Sequence, residues 1–269
     1  MALIQVNFFS ESLQRTVDFT ALIPADAPIE QRSPKTKPFK TLYLLHGLFG
    51  DRNDWLTGTR IKRWAAERNL AVIMPSAENK FYMNLEIIGE NHSDFIGKEL
   101  VDFTRRLFPL SRKREDTFIA GLSMGGYGAI VNGLLHHRTF GYVAGLSSAL
   151  IRDRVVQSTN ESQRPLFRRD FYETIFGDLD KVPASEKNPE FLVKSLLKKK
   201  AVLPQIYLCC GTEDNLLAQN RLFHKMLMKE GVAHEYHESK GAHDWDYWDT
   251  NILKVLDWLP LEKVTAEEE

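Results

Sequence analysis

Cysteine is scarce in this sequence, whose 269 residues include two, the adjacent Cys209 and Cys210. Both fall within an apolar run that is typical of a buried strand, where neighbouring side chains point to opposite faces. This placement predicts two buried free thiols rather than a disulfide framework. The fold must therefore depend on an apolar core, and 43% hydrophobic residues are enough to form one in a chain of this length.

Long apolar runs and an excess of charge of one sign are also lacking. The longest apolar runs, such as Leu42 to Leu45 and Ile206 to Cys210, are far shorter than the ~18 residues of a membrane span. Residues 1–10 lack the basic segment and apolar stretch of a signal peptide. Because 35 Lys and Arg balance 36 Asp and Glu, no positive excess favours nucleic acid. We therefore expect a cytoplasmic protein with neither a membrane nor a nucleic-acid partner.

Short apolar runs alternate with helical patterns along the chain, as they do in crossover units on a mostly parallel sheet. The predicted strands are Gln5 to Phe9, Thr16 to Ile23, Thr41 to Leu45, Ala71 to Met74, Thr117 to Ala120, Tyr142 to Leu146, Gln205 to Cys210 and His234 to Glu238. Helix-spaced apolar residues cover Asp94 to Leu107, Tyr127 to Leu135 and Leu216 to Met228. The fold class is therefore predicted to be α/β, with about eight strands flanked by helices in one domain over residues 1–269.

Residues 151–200 break this rhythm, since they are polar and charged, with local aromatics and several Pro and Gly residues. We interpret this segment as a cap-like insertion over one end of the sheet rather than a separate domain. The Pro- and Lys-rich stretch from Arg32 to Lys40 predicts a surface loop, and the acidic stretch from Glu267 to Glu269 predicts a frayed tail.

Residues 121–125 read Gly-Leu-Ser-Met-Gly and fit the pattern G-x-S-x-G, which is a weak signal by itself. The strand from Thr117 to Ala120 runs into this motif, and the helical stripe from Tyr127 to Leu135 follows it. Strand, sharp turn and helix in this order are typical of a nucleophile elbow, where flanking glycines let the chain turn without a Cβ clash. Ser123 is therefore the candidate nucleophile, and the alternative is an idle serine in a Gly-rich connection.

A serine hydroxyl needs a base to take its proton, and in this architecture the chain order is Ser, acid, His. Asp214 follows the apolar strand at 206–210, with Glu213 as a competitor and a turn-forming or capping role as the alternative. His243 lies after the last predicted strand and before a helical pattern, where the base belongs. Alternation sends His234 and His237 to opposite faces of a strand, so they do not form a metal pair. We expect neither a metal nor a cofactor.

The oxyanion of acyl transfer needs fixed N–H donors, and the first is predicted to be the backbone of Met124, directly after the serine. The second is expected in the loop after the strand Thr41 to Leu45, which reads His-Gly-Leu-Phe-Gly at 46–50. Leu48 is the predicted donor there. The candidate pocket walls are four aromatic residues, although large aromatics more often fill cores: Phe49, Trp55, Tyr82 and Trp245.

Taken together, these segments resemble the esterase D-like family of α/β-hydrolases, and most closely its bacterial tributyrin-esterase branch. The resemblance is carried by residues 46–50, 121–126, 210–214 and 241–248. Further matches are Asp54-Trp55 with Thr59 and Ile61, residues 75–79 with Phe81-Tyr82 and Asn84, and Glu99-Leu100 with Phe108-Pro109. It extends from about Thr16 to the final helix and implies an α/β-hydrolase fold.

The resemblance also implies roles: Ser123 as nucleophile, His243 as general base and then acid, Asp214 as the orienting carboxylate, and Leu48 and Met124 as oxyanion donors. It implies a serine carboxylesterase that hydrolyses small short-chain acyl esters through an acyl-enzyme and needs no cofactor. Members of the family act on S-formylglutathione, acetylated sugars or feruloylated saccharides, and an acyltransferase would use the same groups. Relatives are often oligomeric, so a homo-oligomer remains an open expectation.

Three alternatives are weighed against this expectation. The S-formylglutathione hydrolases have a longer cysteine-containing loop where this sequence has His-Gly-Leu, and Gly-His-Ser where it has Gly-Leu-Ser. A hydrolase-fold binding module without catalysis should lack one of the three triad residues, and none is lacking. An interfacial lipase needs an apolar lid, whereas the insertion carries Arg152, Asp153, Arg154, Arg168 and Arg169. Acyl length, alcohol and the partition between hydrolysis and transfer are not determined by the sequence.

Overall fold

The computed structural model describes residues 1–26 and 37–262, and an eight-stranded sheet runs through it. Its strands are β1 (Ala2–Ser10), β2 (Arg15–Ile23), β3 (Thr41–Leu45), β4 (Ala71–Pro75), β5 (Thr117–Leu122), β6 (Tyr142–Leu146), β7 (Gln205–Gly211) and β8 (Glu235–Ser239). The order across the sheet is β1-β2-β4-β3-β5-β6-β7-β8. The β1–β2 and β2–β4 pairs are antiparallel and the others are parallel. The predicted α/β class is therefore confirmed, and all eight predicted strands are present.

Helices cover both faces of this sheet. They are α1 (Asp54–Gly58), α2 (Ile61–Ala66), α3 (His92–Asp94), α4 (Leu100–Leu107), α5 (Met124–Leu135), α6 (Arg152–Val156), α7 (Arg169–Phe176), α8 (Pro189–Lys198), α9 (Leu217–Lys229) and α10 (Trp245–Trp258). In β5, Phe118 and Ala120 join the core under α2 and α10, whereas Ile119 joins the core under α4, α5, α8 and α9. This alternation follows from the two-residue period of a strand, and it explains why β5 is apolar from Phe118 onward.

The two cysteines lie in β7 as predicted, where both are buried free thiols. Cys209 belongs to the core under α10, and burial raises the pKa of its thiol to about 12. The thiol is therefore protonated and unreactive at neutral pH.

The predicted helix from Asp94 to Leu107 is present but not uniform. A π-helical turn (Phe95–Glu99) separates α3 from α4. In this turn Gly97 packs directly on His136, whose ring would lie 2.0 Å from any Cβ at that position. A prediction from apolar spacing assumes 3.6 residues per turn along the whole segment, so it does not include a π-helical turn.

The cap-like insertion lies between β6 and β7, and its residues 151–184 contain α6, α7 and the 3₁₀ turns Pro165–Phe167 and Leu179–Ala184. The end of the predicted insertion has a different role: α8 packs on α5 and adds Leu192 and Val193 to the core. It is therefore the crossover helix that connects the parallel strands β6 and β7.

The predicted loop at 32–40 and tail at 267–269 lie mostly outside the described residues. Within the described part, Phe39 is not at the surface, because it forms a bridge with Leu110 and joins the core. None of the described helices has the length and apolar character needed to cross a membrane.

Candidate active site

Ser123 occupies the sharp turn between β5 and α5. Its φ of 53° and ψ of −116° lie in a region that side-chain-bearing residues rarely adopt. The turn is possible because its glycines lack side chains: a Cβ on Gly121 would lie 2.3 Å from the Gly125 carbonyl oxygen, and one on Gly125 would lie 2.4 Å from that of Leu45. The backbone is also fixed from β6, since the Ser123 N–H donates to the Leu146 carbonyl at 2.9 Å. The predicted elbow conformation is therefore present.

A continuous hydrogen-bonded chain leads away from this serine. Ser123 Oγ lies 3.0 Å from His243 Nε2, and His243 Nδ1 lies 2.9 Å from Asp214 Oδ2. The three residues follow the carboxyl ends of β5, β7 and β8, so the parallel sheet brings them to one edge although 120 positions separate Ser123 from His243. In this arrangement Asp214 accepts from Nδ1–H, which leaves Nε2 free to accept the serine proton.

The surroundings of Asp214 keep it ionised. Its side chain is fully buried, and its second oxygen accepts from the Leu216 N–H at 2.8 Å. Burial by itself raises the pKa of this carboxyl, but the hydrogen bonds from His243 and the Leu216 N–H outweigh it, and the pKa lies below its usual value. The neighbouring carboxylate Glu213 is exposed and makes no hydrogen bond to His243. The structure thus selects Asp214 over Glu213 as the histidine partner.

The loop after β3 passes close to Ser123. A Cβ on Gly47 would lie 3.6 Å from that of Ser123, and Leu48 lines the cleft in which the serine opens. The next N–H, from Phe49, is occupied by Asn79 Oδ1 at 2.8 Å. Within residues 1–26 and 37–262, no hydrogen bond engages the N–H of Leu48 or of Met124. Both groups are therefore free to bind an anionic oxygen near Ser123.

His46 fixes this loop from beneath. It is buried, its Nδ1 donates to the Gly47 carbonyl at 2.7 Å, and its Nε2 accepts from the Ala77 N–H at 3.0 Å. The hydroxyl of Tyr82 also donates to the His46 carbonyl at 2.9 Å. Because Nε2 accepts a hydrogen bond from a backbone N–H, these partners require a neutral imidazole with its proton on Nδ1.

Thermal stability should fall as the pH is lowered from about 7.5 towards about 5. Burial lowers the pKa of His46, His92 and His136 below the ordinary histidine value of 6.5. Below pH 6.5 the unfolded chain therefore binds more protons than the folded one, and the free energy of unfolding decreases as the pH falls. Above pH 6.5 these histidines are neutral in both states, and their full contribution to the free energy of unfolding is present. Measurement of Tm by circular dichroism across this range tests the prediction, and a Tm that does not change would contradict it.

A cleft of about 270 Å³ opens around Ser123 and His243. Two of the four predicted walls, Phe49 and Trp245, line it. The prediction was wrong for the other two, because Trp55 and Tyr82 are at most 1% exposed and belong to the core. The Trp55 indole N–H donates to the Leu45 carbonyl at 2.9 Å and its ring packs on Trp245, so it supports the wall from behind.

Several cleft residues are not predicted from the sequence. They are Asp54, Phe81, Ala149, Ile151, Arg154, Phe167, Tyr172, Asn215, Leu216 and Trp248. Helical spacing could have indicated Trp248, because it lies one turn after Trp245, and its ring packs edge-on at 4.9 Å from that of His243. The cap contributes four of these residues, Ile151, Arg154, Phe167 and Tyr172. Their sequence carries no comparable signal, because only the folded chain brings them next to the elbow.

No cluster that could hold a metal ion occurs in the part of the chain that the structure describes. The ring nitrogens of His224 and His234 lie 2.8 Å apart, but no third ligand accompanies them. His237 is paired with Glu235 at the surface instead.

Comparisons with known proteins match almost the whole chain. A family described as "Putative esterase" matches residues 10–259. An acetyl esterase of Caldicellulosiruptor saccharolyticus is 40% identical over 261 residues, which are 96% of this chain and 98% of the relative. Two Staphylococcus aureus structures are each 32% identical, covering 96% of this chain and 98% of their own. They are fluorophosphonate-binding serine hydrolase F with substrate bound, at a TM-score of 0.86, and S-formylglutathione hydrolase as apoenzyme, at 0.83. The family match contains every residue of the candidate site.

Proposed function

The chain belongs to the esterase family and is a carboxylic ester hydrolase, and on this premise we propose that it cleaves short acyl esters through an acyl-enzyme on Ser123. The observation that carries the proposal is the unbroken chain of hydrogen bonds from Ser123 through His243 to Asp214. The strained elbow supports it further, since it holds the hydroxyl in the cleft and near two free N–H groups.

The first half-reaction acylates the serine. His243 Nε2 takes the hydroxyl proton while Ser123 Oγ forms a bond to the ester carbonyl carbon, and the carbonyl electron pair moves onto oxygen. The N–H groups of Leu48 and Met124 donate to this oxyanion, and Asp214 stabilises the imidazolium. The carbonyl then re-forms, the bond to the alcohol oxygen breaks, and His243 gives its proton to the leaving alcohol.

The second half-reaction repeats these steps with water. His243 takes a proton from water as its oxygen attacks the acyl carbon, and the returning proton goes to Ser123 Oγ when the carboxylic acid leaves. One ester and one water thus yield one acid and one alcohol. The same groups serve both halves, so the chemistry requires no further reactant.

Two observations support a short acyl group. The cleft of about 270 Å³ is smaller than the roughly 300 Å³ at which pockets for drug-sized ligands begin. The relative that is 40% identical is named an acetyl esterase. We therefore place acetyl, propionyl and butyryl esters, tributyrin included, within the substrate range.

Initial rates on p-nitrophenyl esters from acetate to decanoate, with tributyrin beside them, test the proposal. We expect kcat/KM to be greatest for acyl chains of two to four carbons and to fall with each longer chain, because the cleft cannot enclose them. A folded protein that hydrolyses none of these esters would overturn the proposal. Acetylated saccharides and methyl ferulate in the same panel test the carbohydrate esters, and an added alcohol tests acyl transfer.

S-formylglutathione is a second candidate substrate, because a structure that is 32% identical carries that activity in its name. The elbow of this chain, Gly-Leu-Ser at 121–123, differs from the Gly-His-Ser expected of that group. Measuring kcat/KM for S-formylglutathione and for p-nitrophenyl acetate on one preparation separates the thioester hypothesis from the ester hypothesis. A preference for the thioester of more than about 100-fold would replace the ester proposal.

A further inference from the structure

A second cavity lies beside the cleft. We name it the cap cavity; its volume is about 130 Å³, and it lies between the cap, α5 and α9. Apolar side chains form one part of its lining, and they include Leu150, Val155, Phe176, Val182, Leu222 and Phe223. Charged and polar side chains form the rest, among them Arg152, Asp153, Lys187, Asn188, Glu190 and Gln219. The cavity has no role in the proposed reaction, since neither Ser123 nor His243 lines it.

Two residues line both the cleft and the cap cavity, namely Ile151 and Arg154. They lie one helical turn apart at the start of α6 and therefore share a face. Ile151 is only 6% exposed, so its side chain fills the partition, whereas Arg154 is exposed and makes no ion pair with a described residue. Removal of the Ile151 side chain is therefore the change that would join the two spaces.

The partition is held beside the nucleophile by backbone hydrogen bonds. The N–H of Ala149 donates to the Ser123 carbonyl, and the N–H of Ile151 donates to the Ala149 carbonyl, each at 2.9 Å. The start of the cap is thus tied to the elbow itself. Its position relative to Ser123 cannot change without loss of these bonds.

The geometry of the tetrahedral intermediate indicates which part of the substrate faces this partition. Its oxyanion lies towards Leu48 and Met124, and the alcohol oxygen must lie within reach of His243 Nε2 to receive a proton. The acyl chain takes the remaining direction from the tetrahedral carbon. The cleft walls that lie outside the loop at 46–50 and the segment around His243 include Ile151 and Tyr172 of the cap.

We propose that the Ile151 side chain ends the acyl pocket and restricts this esterase to short acyl groups, with the apolar part of the cap cavity behind it. The inference rests on the proposed function and adds the residue that sets acyl-chain length. Each methylene moved from water into an apolar cavity is worth about 0.8 kcal/mol, or about fourfold in kcat/KM. A few methylenes that enter the cap cavity would therefore change the substrate range.

The test is the p-nitrophenyl ester series on Ile151→Ala and Ile151→Val. For Ile151→Ala we expect kcat/KM on octanoate to rise at least about 10-fold over wild type, while acetate stays within about threefold. Ile151→Val should give a smaller gain, and it keeps the proposal testable if the alanine variant does not fold. An unchanged series in a folded Ile151→Ala protein would overturn the proposal.

Two further variants locate the added chain. Ala218→Leu adds bulk to the cap cavity from α9 without touching the cleft, so it should leave wild-type rates unchanged and cancel the gain of Ile151→Ala. Val155→Ala enlarges the cap cavity but leaves the Ile151 side chain in place between the two spaces. Its kcat/KM values on the p-nitrophenyl esters should therefore match those of wild type. A gain by Val155→Ala alone, or one that survives Ala218→Leu, would overturn the assignment.

Acetate esters of alcohols from ethanol to octanol provide the matched series for the other half of the substrate. We expect Ile151→Ala to leave kcat/KM on these acetate esters unchanged. A higher kcat/KM on the longer alcohols, instead of on the longer acyl chains, would overturn the acyl assignment. If wild type hydrolyses no ester at all, the proposed function fails. If wild type hydrolyses short esters and the Ile151 variants show the same dependence of kcat/KM on acyl length, only this inference fails.

Discussion

Replacement of Ser123 by alanine should lower kcat by roughly 10⁶-fold while the protein stays folded. The variant lacks the atom that becomes acylated, and water would have to attack the ester directly. The Leu48 and Met124 N–H groups would still polarise the bound ester, so a small residual rate above the uncatalysed one should remain. Initial rates on p-nitrophenyl acetate measure the effect, and more than a few per cent of wild-type activity would contradict it.

Ser148 provides a matched control for this variant. It is buried beside the elbow, and its Oγ has no hydrogen-bond partner among the described residues. Ser148→Ala should keep kcat within about threefold, since the partner of Asn220 is the Ser148 backbone carbonyl. A fluorophosphonate probe gives a second readout: mass spectrometry of the wild type should find the adduct on Ser123, and an adduct on another serine would contradict the assignment.

Replacement of Asp214 by asparagine should lower kcat on the order of 10⁴-fold, less than the loss of the nucleophile. The amide can donate its N–H to His243 Nδ1, which stabilises the tautomer with its proton on Nε2. That nitrogen then has no lone pair for the Ser123 proton. The variant also loses the negative charge that stabilises the imidazolium. Rates on p-nitrophenyl acetate and a fold check by circular dichroism measure the effect.

The neighbouring carboxylate is the control for charge at this loop. Glu213→Gln removes the same charge one residue away, from an exposed side chain that makes no hydrogen bond to His243. We expect its kcat to stay within about threefold of wild type. Loss of activity in Glu213→Gln together with activity in Asp214→Asn would reverse the assignment of the acid.

The sequence predicts the elbow because the elbow is a local structure. Adjacent strand, glycines and helix each leave a pattern over a few residues, and the structure places Ser123 at the turn between β5 and α5. Membership of the esterase family is confirmed, whereas the esterase D-like group, its tributyrin branch and the catalytic roles stay predictions. The choice between Asp214 and Glu213 was open in the sequence, because both follow β7 and only packing decides which carboxylate is buried against His243.

The pocket walls were predicted less well, for a physical reason. Nearness in sequence to the loop at 46–50 suggested Trp55, but the start of a helix turns its ring inward, where its N–H donates to the Leu45 carbonyl. Tyr82 is likewise turned inward onto His46. An aromatic side chain fits a core and a pocket equally well, so residue type does not separate the two.

By itself the sequence determined the fold class, the eight strands, the buried thiols and the order of the serine, acid and histidine along the chain. Each leaves a local signal in apolar period, glycine placement or position after a strand. The tertiary structure alone decided which carboxylate meets His243, which aromatics reach the cleft and that Ile151 separates it from the cap cavity. These features are contacts between segments far apart in the chain, and their geometry follows from how the sheet, the helices and the cap pack together.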